Sequence, residues 1–205
     1  SWAVLSGLGT QEQQRQAMNS VKEYLDTDLG IKKIHPAMTT DYPTKEENLT
    51  CYNKGCGENG SVFCHANTWA IIAECMLGRP ENAWKYYHQL LPMIAQKTAG
   101  AERYKAEPYV YSSNIFGPES DKFGLANVSW LTGTAAWMYL AATQYLLGVR
   151  PTWDGLEIDP CLPEQLLPAK VTRVFRGCRY EITITKNQKL LLPHVDGRKQ
   201  LTVTV

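Results

Sequence analysis

The sequence lacks a surplus of charge of either sign. Its 21 basic and 20 acidic residues leave a net charge of +1, so nothing electrostatic points to nucleic acid or an anionic membrane surface as a partner. It also lacks a long apolar run. The longest, Ala135 to Leu147, is 13 residues and is interrupted by Thr143 and Gln144; a membrane-spanning helix needs about 20. The chain opens Ser1-Trp2-Ala3 with no basic stretch and no initiator Met. A secretory signal is therefore not expected, a cytoplasmic setting is, and the abrupt start carries the expectation of a piece of a longer protein. No CxxC pair occurs among the six cysteines, and no GKS/T phosphate loop occurs anywhere. A zinc site built from Cys51, Cys56, Cys64 and His65 would lack the usual ligand spacings. Reduced thiols packed as small apolar groups are the plainer expectation, with no metal or cofactor.

What is present is an ordinary globular composition. At 205 residues with 44% hydrophobic side chains, the chain is long enough for one domain or two small ones around a sizeable core. The first two-thirds reads as helices joined by long loops. Thr10 and Gln13 form a capping-box pattern, and Ala17, Met18, Val21 and Leu25 fall on one helical face behind it. Trp69, Ile72, Ala73, Met76 and Leu77 predict a second helix, stopped by Gly78. Pro80 opens a third, striped by Ala83, Tyr87, Leu90 and Ile94. A fourth is expected from a cap at Ser129 to Leu147. After Pro151 the spacing turns to that of strands, notably over 171–185 and 201–205. The expected fold is mainly α over 1–150, followed by a small β region over 151–205 that leans on the helical part.

Three segments carry polar groups suited to chemistry. In the first, Glu58, Asn59, His65 and Asn67 gather at the start of the second helix. The unpaired N–H groups of a helix N-terminus suit an anion, and a His there can donate to phosphate. The alternative is that Asn67 caps the helix and His65 is an ordinary loop residue. In the second, Tyr109 and Tyr111 alternate around Val110 and either present two phenols to a sugar or pack on helices. In the third, Thr132, Gly133 and Thr134 lie in the first turn of the fourth helix, where a Gly lets a ligand approach the backbone. That is a phosphate cradle or a plain helix start.

Taken together, five motifs in order resemble the C-terminal portion of glycoside hydrolase family 94, the inverting cellobiose, cellodextrin and chitobiose phosphorylases. They are Trp2-Ala-Val-Leu-Ser-Gly7; Glu58-Asn-Gly with Phe63-Cys-His65-Ala-Asn-Thr-Trp69; Glu107-Pro-Tyr-Val-Tyr111; Ser129-Trp-Leu-Thr-Gly-Thr-Ala135; and Gly155-Leu-Glu-Ile-Asp-Pro-Cys-Leu-Pro163. The resemblance implies part of an (α/α)6 barrel followed by strands of a β-sandwich-like domain, often in a homodimer. It implies a cellobiose-like disaccharide or short β-glucan and inorganic phosphate as substrates, with α-glucose 1-phosphate as product. Phosphate attacks the anomeric carbon while a carboxylic acid protonates the leaving oxygen, so phosphate stands where an inverting glycosidase activates water.

By the resemblance, His65, Thr132 and Gly133 match phosphate-binding positions, and Tyr52 and Glu58 match contacts to the acceptor sugar. Two departures stand out. Gly57 occupies a position where many members carry Lys, so either a donor to the acceptor sugar is missing or Lys54 reaches in from the loop. Ser113 stands where many carry Gln. The general acid of the family lies upstream of Trp2, and nothing here matches it, so no catalytic acid is assigned and the isolated chain is expected to be inactive. Glu58 and Glu107 are the remaining carboxyl candidates for that role. A non-catalytic carbohydrate-binding or regulatory module derived from the same fold is the alternative.

Overall fold

The computed structural model describes residues 1–39 and 52–205. A short helix α1 (Trp2–Leu5) precedes α2 (Gln11–Ser20), whose start is built as the sequence dictates. The Thr10 hydroxyl accepts the Gln13 amide at 3.2 Å, and the Gln13 side chain accepts the Thr10 N–H at 2.8 Å. One wide π-turn, Val21–Leu25, extends α2. Two short strands, β1 (Asp26–Thr27) and β2 (Gly30–Ile31), form a hairpin, and β3 (Val62–Phe63) leads into the central helix α3 (Cys64–Met76).

Helix α3 begins five residues before Trp69, where the apolar spacing placed its start. The reason is Asn67, which is not the cap. It is buried inside the first turns, and its amide accepts from Ile31 N at 2.6 Å and donates to Ile31 O at 2.8 Å and Phe63 O at 2.9 Å. Polar residues there serve β2 rather than ending the helix. The third expected helix is two: α4 (Pro80–Leu90) with Pro80 in its first turn, and α5 (Pro92–Ala99). Pro92 has no N–H to continue the ladder, so the stripe from Ala83 to Ile94 spans a break. Helix α6 (Ala101–Tyr104) is a single turn.

Strands β4 (Ser112–Ile115) and β5 (Ala126–Ser129) join β3 in a three-stranded antiparallel sheet with β4 in the middle. Val62 faces Ile115, and Asn114 faces Asn127 across the ladders. Ser129 is thus a strand residue and caps nothing. Helix α7 (Thr134–Leu140) starts after it and runs into a second π-turn segment, Ala141–Leu146. One core cluster gathers Ile71, Ile72 and Ala73 of α3 with Val62, Ile115 and Met138.

The remaining chain is β. Strand β6 (Val149–Pro151) opens two residues ahead of the expected change of texture and pairs with β7 (Gly155–Ile158). Strands β8 (Ala169–Phe175) and β9 (Cys178–Ile184) form a hairpin, β10 (Leu190–Pro193) returns to β7, and β11 (Gln200–Thr204) lies parallel to β9. Alternation along β9 turns Cys178, Tyr180, Ile182 and Ile184 inward. They form a second core cluster with Leu156 and Ile158, closed by Ala83 of α4 and Leu146. The β region therefore buries its inner face partly against helices.

Candidate functional site

The three-stranded sheet determines which segments meet. Strands β3 and β5 both run antiparallel to β4, so they run parallel to each other. Their C-terminal ends emerge at the same end of the sheet. From β3 the chain passes into α3 and reaches His65; from β5 it passes through Trp130 and Leu131 to Thr132 and Gly133. The two segments do meet. A Cβ on Gly133 would stand 2.9 Å from His65 Cε1 and 3.1 Å from Nδ1. Gly133 lets the imidazole lie against the backbone just before α7.

His65 is fixed by aromatics. Its ring centroid is 5.1 Å from that of Trp69, one turn on along α3, and 6.0 Å from that of Trp137 on α7. Trp2 of α1 packs on Trp69 at 5.2 Å. His65 Nε2 is buried without a hydrogen-bond partner. Sequence reasoning did not place any of these three tryptophans around His65. The only signal was Trp69 at i+4 from the histidine, the spacing of helix neighbours.

Thr132 and Gly133 precede α7 rather than lying within its first turn. The turn that delivers them is unusual. Val128 and Trp130 both take left-handed backbone angles, φ 53° and 72°, which cost energy in residues other than Gly, Asn and Asp. The Thr132 N–H donates to Trp130 O at 3.0 Å. The Thr132 hydroxyl accepts the Thr134 N–H at 3.2 Å and lies 2.6 Å from the Thr134 hydroxyl. With Thr134 donating, the Thr132 O–H is left to donate outward. Its neighbours are the first-turn N–H groups of α7, which have no intrahelical acceptor. An imidazole, a hydroxyl and a helix start form a combination suited to an oxyanion.

Tyr52 and Glu58 form a separate group. Both line a cavity of about 490 Å³ together with Phe63, Ser113, Asn114 and Val128. Phe63 and Val128 belong to β3 and β5, so this cavity sits on the strands that lead to His65 and Thr132. His65, Thr132 and Gly133 are not among its lining residues. Glu58 stands on a tight turn in which the Asn59 N–H donates to Cys56 O at 2.8 Å. Buried Asn59 anchors that turn, accepting from Met38 N at 2.7 Å and donating to Tyr52 O at 3.0 Å.

The structure decides between the alternatives left open for Lys54 and for the two tyrosines. Lys54 does not reach toward Glu58; it lines a different cavity, with Glu119 and Lys122. The cation at Glu58 is Lys33, which forms an ion pair with it. No lysine would fit at 57 with the neighbours as placed, because a Cβ on Gly57 would stand 2.7 Å from the Tyr52 ring. Nor do Tyr109 and Tyr111 present a pair of phenols. Tyr109 is 75% exposed, whereas Tyr111 packs on the core and burial pushes its phenol up.

The two carboxyl candidates stand in different surroundings. The backbone N–H of Glu107 and the indole of Trp130 (3.3 Å) hold the Glu107 carboxyl below its usual range. Glu58 faces Lys33 as an ion pair. Among the described residues no three His, Cys, Asp or Glu side chains converge as a metal site. Cys51 lies outside the described residues. Burial pushes the Cys64 thiol up to about 12. No described helix is long and apolar enough to cross a membrane.

Comparison with known proteins gives a family. Residues 1–148 match the profile of the glycosyl hydrolase 94 superfamily, catalytic domain. The chain is similar to solabiose phosphorylase of Paenibacillus borealis, 36% identical over 204 residues, covering 99% of this chain and 26% of that protein. It is 41% identical over 183 residues to N,N'-diacetylchitobiose phosphorylase of Vibrio proteolyticus, covering 89% and 22%. Cellobionic acid phosphorylase of Neurospora crassa is 29% identical over 226 residues, covering 100% and 28%. The chain thus spans about a quarter of the length of these relatives.

Proposed function

The chain belongs to the glycosyl hydrolase 94 superfamily, and from that premise we propose that it is the C-terminal part of an inverting disaccharide phosphorylase. The full protein splits a β-glucoside with inorganic phosphate, releasing α-glucose 1-phosphate and an acceptor sugar. In this reading the helices of residues 1–150 belong to an (α/α)6 barrel, and residues 151–205 belong to its C-terminal β domain. The full protein works in the cytoplasm, as a homodimer, without a cofactor.

The observation that carries the reading is His65 against Gly133 beside Thr132. His65 and Thr132 donate to the phosphate, and Gly133 lets the imidazole lie close to the backbone that delivers Thr132. Held there, the nucleophile meets the anomeric carbon without the cost of collecting it from solution. The donors also offset charge repulsion between phosphate and the departing sugar oxygen. Tyr52 and Glu58 hold the acceptor. The acid that protonates the leaving oxygen comes from chain outside these 205 residues.

Phosphate release from α-glucose 1-phosphate plus a neutral acceptor sugar tests this directly. The full-length protein is expected to release phosphate, and a His65→Ala variant to lose at least a hundredfold in kcat/KM. The isolated 205 residues are expected to stay at background. A full-length protein that binds the sugar but never releases phosphate would instead favour a carbohydrate-binding module.

A further inference from the structure

We propose that Lys33 is a specificity-determining residue of the acceptor cavity: by neutralising Glu58 it sets that cavity to receive uncharged sugars. This rests on the functional reading above and deepens it. Glu58 is the one charged side chain among the described residues that line the cavity of about 490 Å³. Alone, it would present a negative wall to every acceptor. Lys33 changes that. Its ammonium pairs with the Glu58 carboxylate and lies 4.8 Å from the centroid of the Phe63 ring, another lining residue.

The lysine is built into this position. Its backbone N–H donates to Ser61 O at 2.8 Å, and the preceding residue bridges to Val62. That fixes the β2 end against the strand that leads into the site. Lys33 and Glu58 side chains are each 36% exposed, so the pair is open enough for a sugar hydroxyl to hydrogen-bond to it. Burial lowers the Lys33 ammonium from its ordinary range. The neighbouring position 57 cannot supply the cation, because Tyr52 occupies the space a side chain would need. Charge balance therefore comes from a residue 25 positions away in sequence. Discrimination between acceptors is a difference of affinities, and an uncompensated charge in the cavity is a strong lever on it.

The test uses the full-length enzyme in the synthetic direction, with α-glucose 1-phosphate as donor. Phosphate release is followed with glucose, N-acetylglucosamine and glucuronate as acceptors. Wild type should favour the neutral sugars. Lys33→Met should raise the acceptor KM at least tenfold, leave the KM for glucose 1-phosphate within twofold and depress glucuronate use further. Glu58→Gln leaves the ammonium unpaired and should raise the ratio of glucuronate to neutral-sugar kcat/KM at least tenfold. Lys33→Arg should behave nearly as wild type. Active Lys33→Met and Glu58→Gln variants whose acceptor ratios stay within twofold of wild type would overturn the proposal. So would a Lys33→Met enzyme whose KM rises equally for donor and acceptor. A wild type that releases no phosphate with any acceptor would overturn the functional reading itself.

Discussion

Gly133 is the residue whose replacement separates site from scaffold most cleanly. Its backbone angles, φ −77° and ψ 0°, are open to alanine, so Gly133→Ala carries no conformational penalty of the left-handed kind. The new methyl meets the imidazole at 2.9 Å, and the ring is hemmed by Trp69 and Trp137. The full-length variant should show a phosphate KM raised at least tenfold, with thermal stability within a few degrees of wild type. Steady-state kinetics at varied phosphate alongside a melting curve checks both halves. Glu74 makes a second case. It is fully buried in α3 with both carboxyl oxygens lacking a hydrogen bond, and Arg79 stands 3.7 Å away. Burial raises its pKa despite that arginine. A carboxyl whose folded pKa is raised is free of penalty while protonated, and the fold loses stability as pH climbs through the raised value. Glu74→Gln should therefore stabilise the chain at pH 7–8, and the gain should vanish toward pH 4. Urea unfolding at the two pH values reads this out. Of these residues, His65, Thr132 and Gly133 were legible from sequence because a motif carries them. Lys33 was not, since no local spacing reports a partner that a loop brings in.

Among the elements, helix starts were legible where their chemistry is local. The Thr10–Gln13 box and Pro80 both sit where their residue types require. Thr10→Ala removes one side-chain acceptor and the framework for its reciprocal bond, and should cost about 1 kcal/mol in chemical denaturation. Where tertiary partners intervene, the local signal misleads. Asn67 has the composition of a cap but staples α3 to β2. Ser129 has it too, but belongs to β5, because the chain turns through Trp130 in a conformation that no propensity favours. The stripe through Ala83 and Ile94 was read as one helix although Pro92 interrupts it.

At the scale of the whole molecule, the change from helical to strand spacing near residue 150 was visible in the apolar periodicity. The pairing of the strands was not. β10 returns to β7 across the intervening hairpin, and β11 lies parallel to β9; neither follows from strand spacing. The helical part also relies on this region. Ala83 and Leu146 are covered by side chains from β7 and β9. A chain ending at Gly148 would expose that face and should aggregate or bind a hydrophobic dye. Dye fluorescence and soluble yield compared with the 205-residue chain would show it; an equally soluble, dye-silent product would refute it.

The middle strand of the small sheet has a consequence for how the proposed anion site can vary. Two ladder spacings of roughly 4.8 Å each set the roots of β3 and β5 about 10 Å apart. β4 thus works as the spacer of a calliper whose jaws are an imidazole and a hydroxyl. A bulge or altered pleat at Ser112 or Asn114 would widen or narrow the jaws without touching either one. If the proposed site holds phosphate, mutations that tune its affinity should therefore also be found on a strand that carries none of the donors.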